Sequence, residues 1–203
     1  ALKIVEKRKN FFEFKLLSAN NNFQKICSQI NRYKPNFFLI SNKEVFQEIE
    51  NKFKNNKVKI INKFDKNYFL KKNDITITAI PGIAGLEPTI QFIKKSKKIL
   101  IANKESIICG WQLIKKEAKK YSTKIIPIDS EHYSLMKLLE NHKMRDIDKI
   151  YITASGGPFL NRKPNQLKKI LPSDALKHPK WKMGKKISID SATLMNKIFE
   201  LIE

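Results

Sequence analysis

Between residues 11 and 128, short apolar runs alternate with stretches of helical periodicity, and this alternation constrains the fold most. The runs Phe11–Leu17, Asn36–Ile40, Lys57–Ile61, Asp74–Ala79, Lys98–Ala102 and Lys124–Ile128 read as strands. Helices are expected over 22–34, from about Lys43, over 63–71, over 83–96 and then up to Tyr121. A strand followed by a helix and another strand needs a crossover connection. The sheet is therefore α/β and parallel, with helices on both faces. Such sheets take ligands beyond the carboxyl ends of their strands.

After residue 124 the texture changes. Lys149–Thr153 reads as one more strand, ending in Ala154-Ser155-Gly156-Gly157-Pro158. Residues 158–186 are rich in Pro and Lys and weakly periodic, as in loops with short helices. Residues 191–203 read as a helix, with Asp190 or Ser191 as N-cap. A domain boundary is expected near residue 123, with an α/β domain over 1–123 and the start of an α+β domain over 124–203. No internal repeat and no low-complexity linker is present.

Composition narrows the function classes. With 41% hydrophobic residues in 203, a buried core is within reach. No apolar run approaches the ~20 residues of a membrane span, and residues 1–20 lack the apolar stretch of a signal peptide. Ala1 at the start implies that the natural N-terminus lies further upstream. Cys27 and Cys109 have no metal-like spacing and fit inert thiols in a reducing, cytoplasmic setting. The net charge of +22 suggests a nucleic-acid partner. Yet only four of the 41 basic residues are arginine, the side chain that makes most bidentate base contacts. Lysines scattered among asparagines and isoleucines are what A/T-rich codons produce. Neither nucleic acid nor membrane is expected as a partner, though the charge can help attract anionic substrates.

Functional groups concentrate in the last quarter. Asp129 and Glu131, two residues apart past a strand, point to the same side in extended chain. Paired carboxylates suit a hard cation such as Mg²⁺ or Mn²⁺, or they are two solvated acids of a loop. Glu200, on one helix face with Asn196 and Lys197, is either a third oxygen ligand or a surface partner of Lys197. Ser155-Gly156-Gly157 after a strand, with Ser191, Asn196 and Lys197 near a helix start, offers hydroxyl, amide and ammonium groups to a phosphate, or simple turn and capping chemistry. Lys104, at a strand end entering a helix, is placed to hold polar substrate atoms or to aid proton transfer, unless it is one more surface lysine. His178 is either an anion ligand or structural, and Trp181 and Met183 either an apolar lid or core. Pro81-Gly82-Ile83-Ala84-Gly85-Leu86 can bring backbone close to a ligand, but no G-x-G-x-x-G is present. Asn20-Asn21-Asn22, at the tip of the first strand, has no acid for a ribose diol, which favours NADP over NAD if a dinucleotide binds.

Four blocks, Gly82–Thr89, Ala102–Ser106, Pro127–His132 and Ala154–Phe159, and a longer fifth, His178–Lys197 with Glu200, resemble the 1-deoxy-D-xylulose 5-phosphate reductoisomerase family. The likeness extends over essentially the whole chain. It implies a Rossmann-like NADPH-binding domain over 1–123 and the N-terminal part of a catalytic domain over 124–203. It also implies NADPH and Mg²⁺ or Mn²⁺ as cofactors, a phosphorylated sugar as substrate, and a homodimer, in the cytoplasm or a plastid. By motif, Asp129, Glu131 and Glu200 would ligate the metal, while Lys104 and Ser130 would contact the reacting carbons. Ser155, Ser191, Asn196, Lys197 and His178 would hold the phosphate. Trp181 and Met183 would sit on a lid, and Asn20, Asn21, Asn22, Asn103, Glu105 and Gly184 would touch NADPH. The family opens with a G-x-T-G-x-x-G loop that this sequence lacks, and Ile198-Phe199 stands where the family has Gly-Leu. The chain is therefore expected to be a fragment of a longer enzyme.

Overall fold

The computed structural model describes residues 2–65 and 71–203. They form two compact units, split between Lys71 and Lys72. The first holds α1 (Leu2–Glu6), β1 (Leu16–Ala19), α2 (Phe23–Tyr33), β2 (Phe37–Ile40), α3 (Lys43–Lys52) and β3 (Lys59–Ile61). Its strands form a parallel sheet in the order β1-β2-β3, with Leu16 opposite Phe37 and Phe37 opposite Lys59. Ile26 and Ile30 of α2, Phe38 and Ile40 of β2, and Ile49 of α3 are buried together as its core. The i, i+4 spacing in α2 and the i, i+2 spacing in β2 put each pair on one face.

The second unit repeats the pattern with β4 (Asn73–Thr78), α4 (Leu86–Ile93), β5 (Ser96–Ile101), α5 (Lys104–Lys120), β6 (Lys124–Pro127) and α6 (Ser130–Leu139). Its parallel sheet runs β4-β5-β6, and Ile93, Ile99, Ile101, Ile107 and Ile114 form its core. The rest is short helices: α7 (Pro164–Leu167), α8 (Pro172–Ala175), α9 (Lys185–Ala192) and α10 (Met195–Ile202). Proline at the first turn of α7 and α8 fits that position, where no amide partner is lost. Gly110 gives α5 a kink, and a Cβ there would lie 2.5 Å from Leu86 Cδ1, so glycine allows α4 and α5 to approach closely.

The parallel α/β reading holds, with several boundaries corrected. β1 starts at Leu16, and Lys9–Phe11 forms a turn of 3₁₀ helix. The helix expected over 63–71 falls largely on residues outside those described. Lys149–Thr153 forms no strand, because no segment among the described residues gives it a ladder partner. Residues 191–203 are not one capped helix. Asp190 and Ser191 lie in the last turns of α9, and Leu194, with φ 59°, breaks the chain before α10. Asp129 and Glu131 are not in extended chain either, since a missed helix, α6, begins between them.

One local rule positions the site. Asn22, Asn42, Asn103 and Asp129 each follow a strand and cap the next helix, their side-chain oxygens accepting the backbone N–H three residues on at 2.7–3.0 Å. The short polar side chain satisfies a free amide of the first turn and fixes where the strand end turns into helix.

Candidate active site

Three helix segments of the second unit converge on one ionic network. Lys104, first residue of α5, reaches into α10, where its Nζ lies 2.7 Å from Glu200 Oε1 and 3.1 Å from Asn196 Oδ1. Asn196 Nδ2 donates to the same Glu200 oxygen at 2.6 Å. Lys197 bridges outwards, its Nζ 2.7 Å from Glu200 Oε2 and 2.5 Å from Glu131 Oε1 of α6. Ser130 Oγ donates to Glu131 Oε2 at 2.6 Å. Glu200 is buried yet receives three donors, the condition under which a carboxylate can stay charged away from water. Burial alone would raise the Glu131 carboxyl, but hydrogen bonds from Lys197 and Ser130 and the Lys197 charge outweigh it and bring it to about 2. The same two glutamates outweigh burial at Lys197 and raise its ammonium.

A second cluster adjoins the first along the chain. Asp129, His132 and Glu203 place one ligand atom each within 4.8 Å of one another. Burial and the Asp129 charge push the Glu203 carboxyl up to about 7, and its Oε2 is buried without a hydrogen-bond partner. Glu203 also feels the charge of Glu200, three residues earlier on α10. A set of carboxylate oxygens in excess of the local lysines, one of them unsatisfied, fits a hard divalent cation such as Mg²⁺ or Mn²⁺.

The phosphate-type groups gather at the end of α9. Gly156 and Gly157 have φ of 76° and 62°, a conformation open to glycine, and turn the chain after Ser155. A Cβ on Gly157 would come within 3.0 Å of Ser191 O, so this turn lies directly on the end of α9. His178 Nδ1 accepts from the Trp181 and Lys180 amides at 2.9 and 3.2 Å. The imidazole proton therefore sits on Nε2, which lies 3.1 Å from Ser155 Oγ. Ser155 and His178 are thus within hydrogen-bond distance, beside a glycine turn that packs on the Ser191 backbone. Asn196 and Lys197 are instead engaged with Lys104 and the carboxylates. Residues 176–183 line a groove of ≈ 340 Å³, with Trp181 66% exposed and Met183 partly covered.

The expected dinucleotide contacts show mixed commitments. Asn20, Asn21 and Asn22 are exposed at the end of β1, where Asn20 accepts from Ser41 Oγ at 2.9 Å and Asn22 caps α2. Asn103 is buried, and its amide is spent on Ile80 O and Gly82 O. Glu105 pairs with Lys186 at 2.8 Å. A Cβ on Gly184 would meet nothing within 4 Å, so the chain there is open to an approaching group. The larger cavity, ≈ 520 Å³ beside α3 and β3, collects none of the candidate groups. His132, Glu203 and Lys186 escaped the sequence reading. The i, i+3 spacings Asp129–His132 and Glu200–Glu203 were the signals for the first two.

Two family models match the chain. The 1-deoxy-D-xylulose 5-phosphate reductoisomerase model covers residues 1–110, and the model of that enzyme's C-terminal domain covers 125–203. The 1-deoxy-D-xylulose 5-phosphate reductoisomerase of Pelagibacter ubique is 48% identical over 100% of this chain and 53% of its own. That of Clostridium novyi is 41% identical over 100% and 54%. The chain therefore spans about half the length of these curated relatives. A crystal structure of DOX-P reductoisomerase in complex with NADPH, fosmidomycin and magnesium matches with TM-score 0.85 and 32% identity, over 99% of this chain and 53% of that one. The Zymomonas mobilis enzyme in complex with NADPH matches with TM-score 0.85 and 30% identity, over 99% and 52%. Fold and sequence agree, and this chain belongs to the 1-deoxy-D-xylulose 5-phosphate reductoisomerase family.

Proposed function

We propose that the protein to which this chain belongs is an NADPH- and divalent-metal-dependent reductoisomerase. It converts 1-deoxy-D-xylulose 5-phosphate to 2-C-methyl-D-erythritol 4-phosphate in non-mevalonate isoprenoid biosynthesis. The observation that carries this reading is the convergence of Lys104, Glu131, Asn196, Lys197 and Glu200 in one partly buried network. Such groups, arriving from distant parts of the sequence, suit a site that must hold a cation and a charged substrate together.

Asp129, Glu131 and Glu200 are the residues that would hold Mg²⁺ or Mn²⁺, with Glu203 adding to the local negative charge. A bound cation supplies Lewis acidity to the substrate carbonyl and NADPH supplies hydride to the rearranged aldehyde. Lys104 and Ser130 orient the polar groups near the reacting carbons, and Lys104 is placed to hold or pass a proton. Ser155, Ser191 and His178 hold the phosphate from the α9 side, and Asn196 and Lys197 complete the clamp when Lys197 turns from the carboxylates. Trp181 and Met183 close over the ligand and exclude water. Asn20, Asn21, Asn22, Asn103, Glu105 and Gly184 form the NADPH side.

Residues 1–123 serve the cofactor and 124–203 the metal and phosphate, a division supported by where the two family models stop and start. No helix among the described residues is long and apolar enough to cross a membrane. We place the protein in the cytoplasm as a homodimer, on the family likeness.

The test is NADPH oxidation by the full-length protein given 1-deoxy-D-xylulose 5-phosphate, with and without Mn²⁺. Oxidation that needs both substrate and metal is expected. Glu131→Gln should abolish it while leaving the fold intact, and turnover retained by that variant would sink the assignment.

A further inference from the structure

His132 does more than its counterparts in the other capped helices. At the ends of β1, β2 and β5 the capping asparagine accepts only a backbone amide from the residue three on: Lys25, Val45 or Ser106. In α6 that residue is His132, and it returns two donors to one oxygen. Asp129 Oδ1 accepts the His132 backbone N–H at 2.9 Å and faces His132 Nδ1 at 2.8 Å. Glu203 Oε2, from the end of α10, lies 3.3 Å from the same ring nitrogen. The Glu203 side chain is 7% exposed, and its Oε2 has no hydrogen-bond partner. An Asp129 carboxylate oxygen at 2.8 Å accepts from the ring nitrogen, which therefore carries a proton. Nδ1 is thus the nitrogen with the hydrogen that Asp129 Oδ1 accepts, with the Glu203 carboxyl beside it.

We propose that His132 is a positioning residue for Asp129: its two donors lock Oδ1, which leaves Oδ2 as the oxygen presented to the divalent cation. The inference rests on reading Asp129 as a metal ligand. Its physical basis is that a carboxylate free to rotate must lose that freedom on binding, whereas one already held by two hydrogen bonds does not. Supports of this kind are worth roughly 10–100-fold in metal affinity.

The experiment is calorimetric titration of the full-length protein with Mn²⁺ alone, without substrate or NADPH. His132→Leu should weaken Mn²⁺ binding roughly 10–100-fold. His132→Asn, whose amide nitrogen overlies Nδ1 and keeps the donor, should restore affinity to within a few-fold of wild type. His132→Gln, whose amide reaches the Nε2 position instead, should stay weak. Circular dichroism checks that each variant folds, and the Asn and Gln pair decides the matter if the Leu variant does not. Wild-type affinity in the Leu or Gln variant, or equal loss in Asn and Gln, overturns the proposal. Asp129→Asn separates this from the assignment beneath it, since it keeps the helix cap and removes the charge. If Asp129→Asn binds Mn²⁺ like wild type, the metal assignment itself fails. If it loses Mn²⁺ while His132→Leu does not, only the role of His132 fails.

Discussion

Lys197 shows how much one side chain carries. Its ammonium bridges Glu131 of α6 and Glu200 of α10. Lys197→Met removes a positive charge from two carboxylates, one of them buried. With the lysine itself partly exposed, screening reduces the loss, and a destabilisation of about 1–3 kcal/mol is expected in urea unfolding at neutral pH. A midpoint unchanged from wild type would mean that water or another cation already neutralises the glutamates. The residue identities were legible in sequence, and so was the helical spacing of Asn196, Lys197 and Glu200. The Lys197–Glu200 pair was one of the two readings of that spacing, but the links to Lys104 and Glu131 were not legible. The sequence reading gave Lys197 to phosphate and Glu131 to metal, whereas the structure joins the two to each other, because a salt bridge depends on the separation of helices far apart in sequence.

At the scale of elements, the short helix α9 is held from both sides by Lys186. Its Nζ lies 2.6 Å from Asp190 Oδ2 within the helix and 2.8 Å from Glu105 Oε1 in the first turn of α5, with the Phe199 ring of α10 5.3 Å away. This anchors the helix that follows the groove of residues 176–183. Burial would raise the Glu105 carboxyl, but the Lys186 hydrogen bond and charge hold it below its usual value of 4.5. Burial would lower the Lys186 ammonium, but its two carboxylates hold it above 10.5. A depressed carboxylate contributes stability that is whole above its unfolded value and fades as pH falls through the folded one. A raised ammonium contributes stability that persists until pH climbs past the folded value. Lys186→Met should therefore lower the thermal midpoint at neutral pH, by an amount equivalent to ~0.5–1 kcal/mol for a half-exposed lysine. Near pH 3 the difference should shrink. A gap of equal size at both pH values would show that packing against Phe199, not charge, holds α9. Periodicity located α2 to α5 well, since their apolar faces repeat over several turns. It missed α6 and α9, where functional polar residues interrupt the apolar face.

For the second unit as a whole, Lys104 is a largely buried tie between the βα core and the C-terminal helices. It stands at the end of β5, the central strand of its sheet, and closes on Asn196 and Glu200, more than ninety residues later. Lys104→Met would leave Glu200 buried with less compensating charge. Breaking a pair this well buried costs about 3–5 kcal/mol. Hydrogen exchange of the full-length protein should then show faster exchange in residues 195–202 while β4–β6 stays protected. Uniform acceleration through the unit would place Lys104 in the core fold, and no change would remove it as a tie.

The sequence by itself determined the strand–helix alternation and the parallel pairing, because period and propensity act over a few residues. It also supplied the candidate chemistry, because the motif blocks are contiguous. It did not determine that Lys149–Thr153 stays unpaired, that Leu194 breaks the last helix in two, or that His132 and Glu203 flank Asp129. A strand exists only where a neighbour completes its ladder, and a carboxylate cluster exists only where separate helices converge. Those were decided by the tertiary structure, since burial and charge pairing depend on separation in space, which a local pattern does not encode.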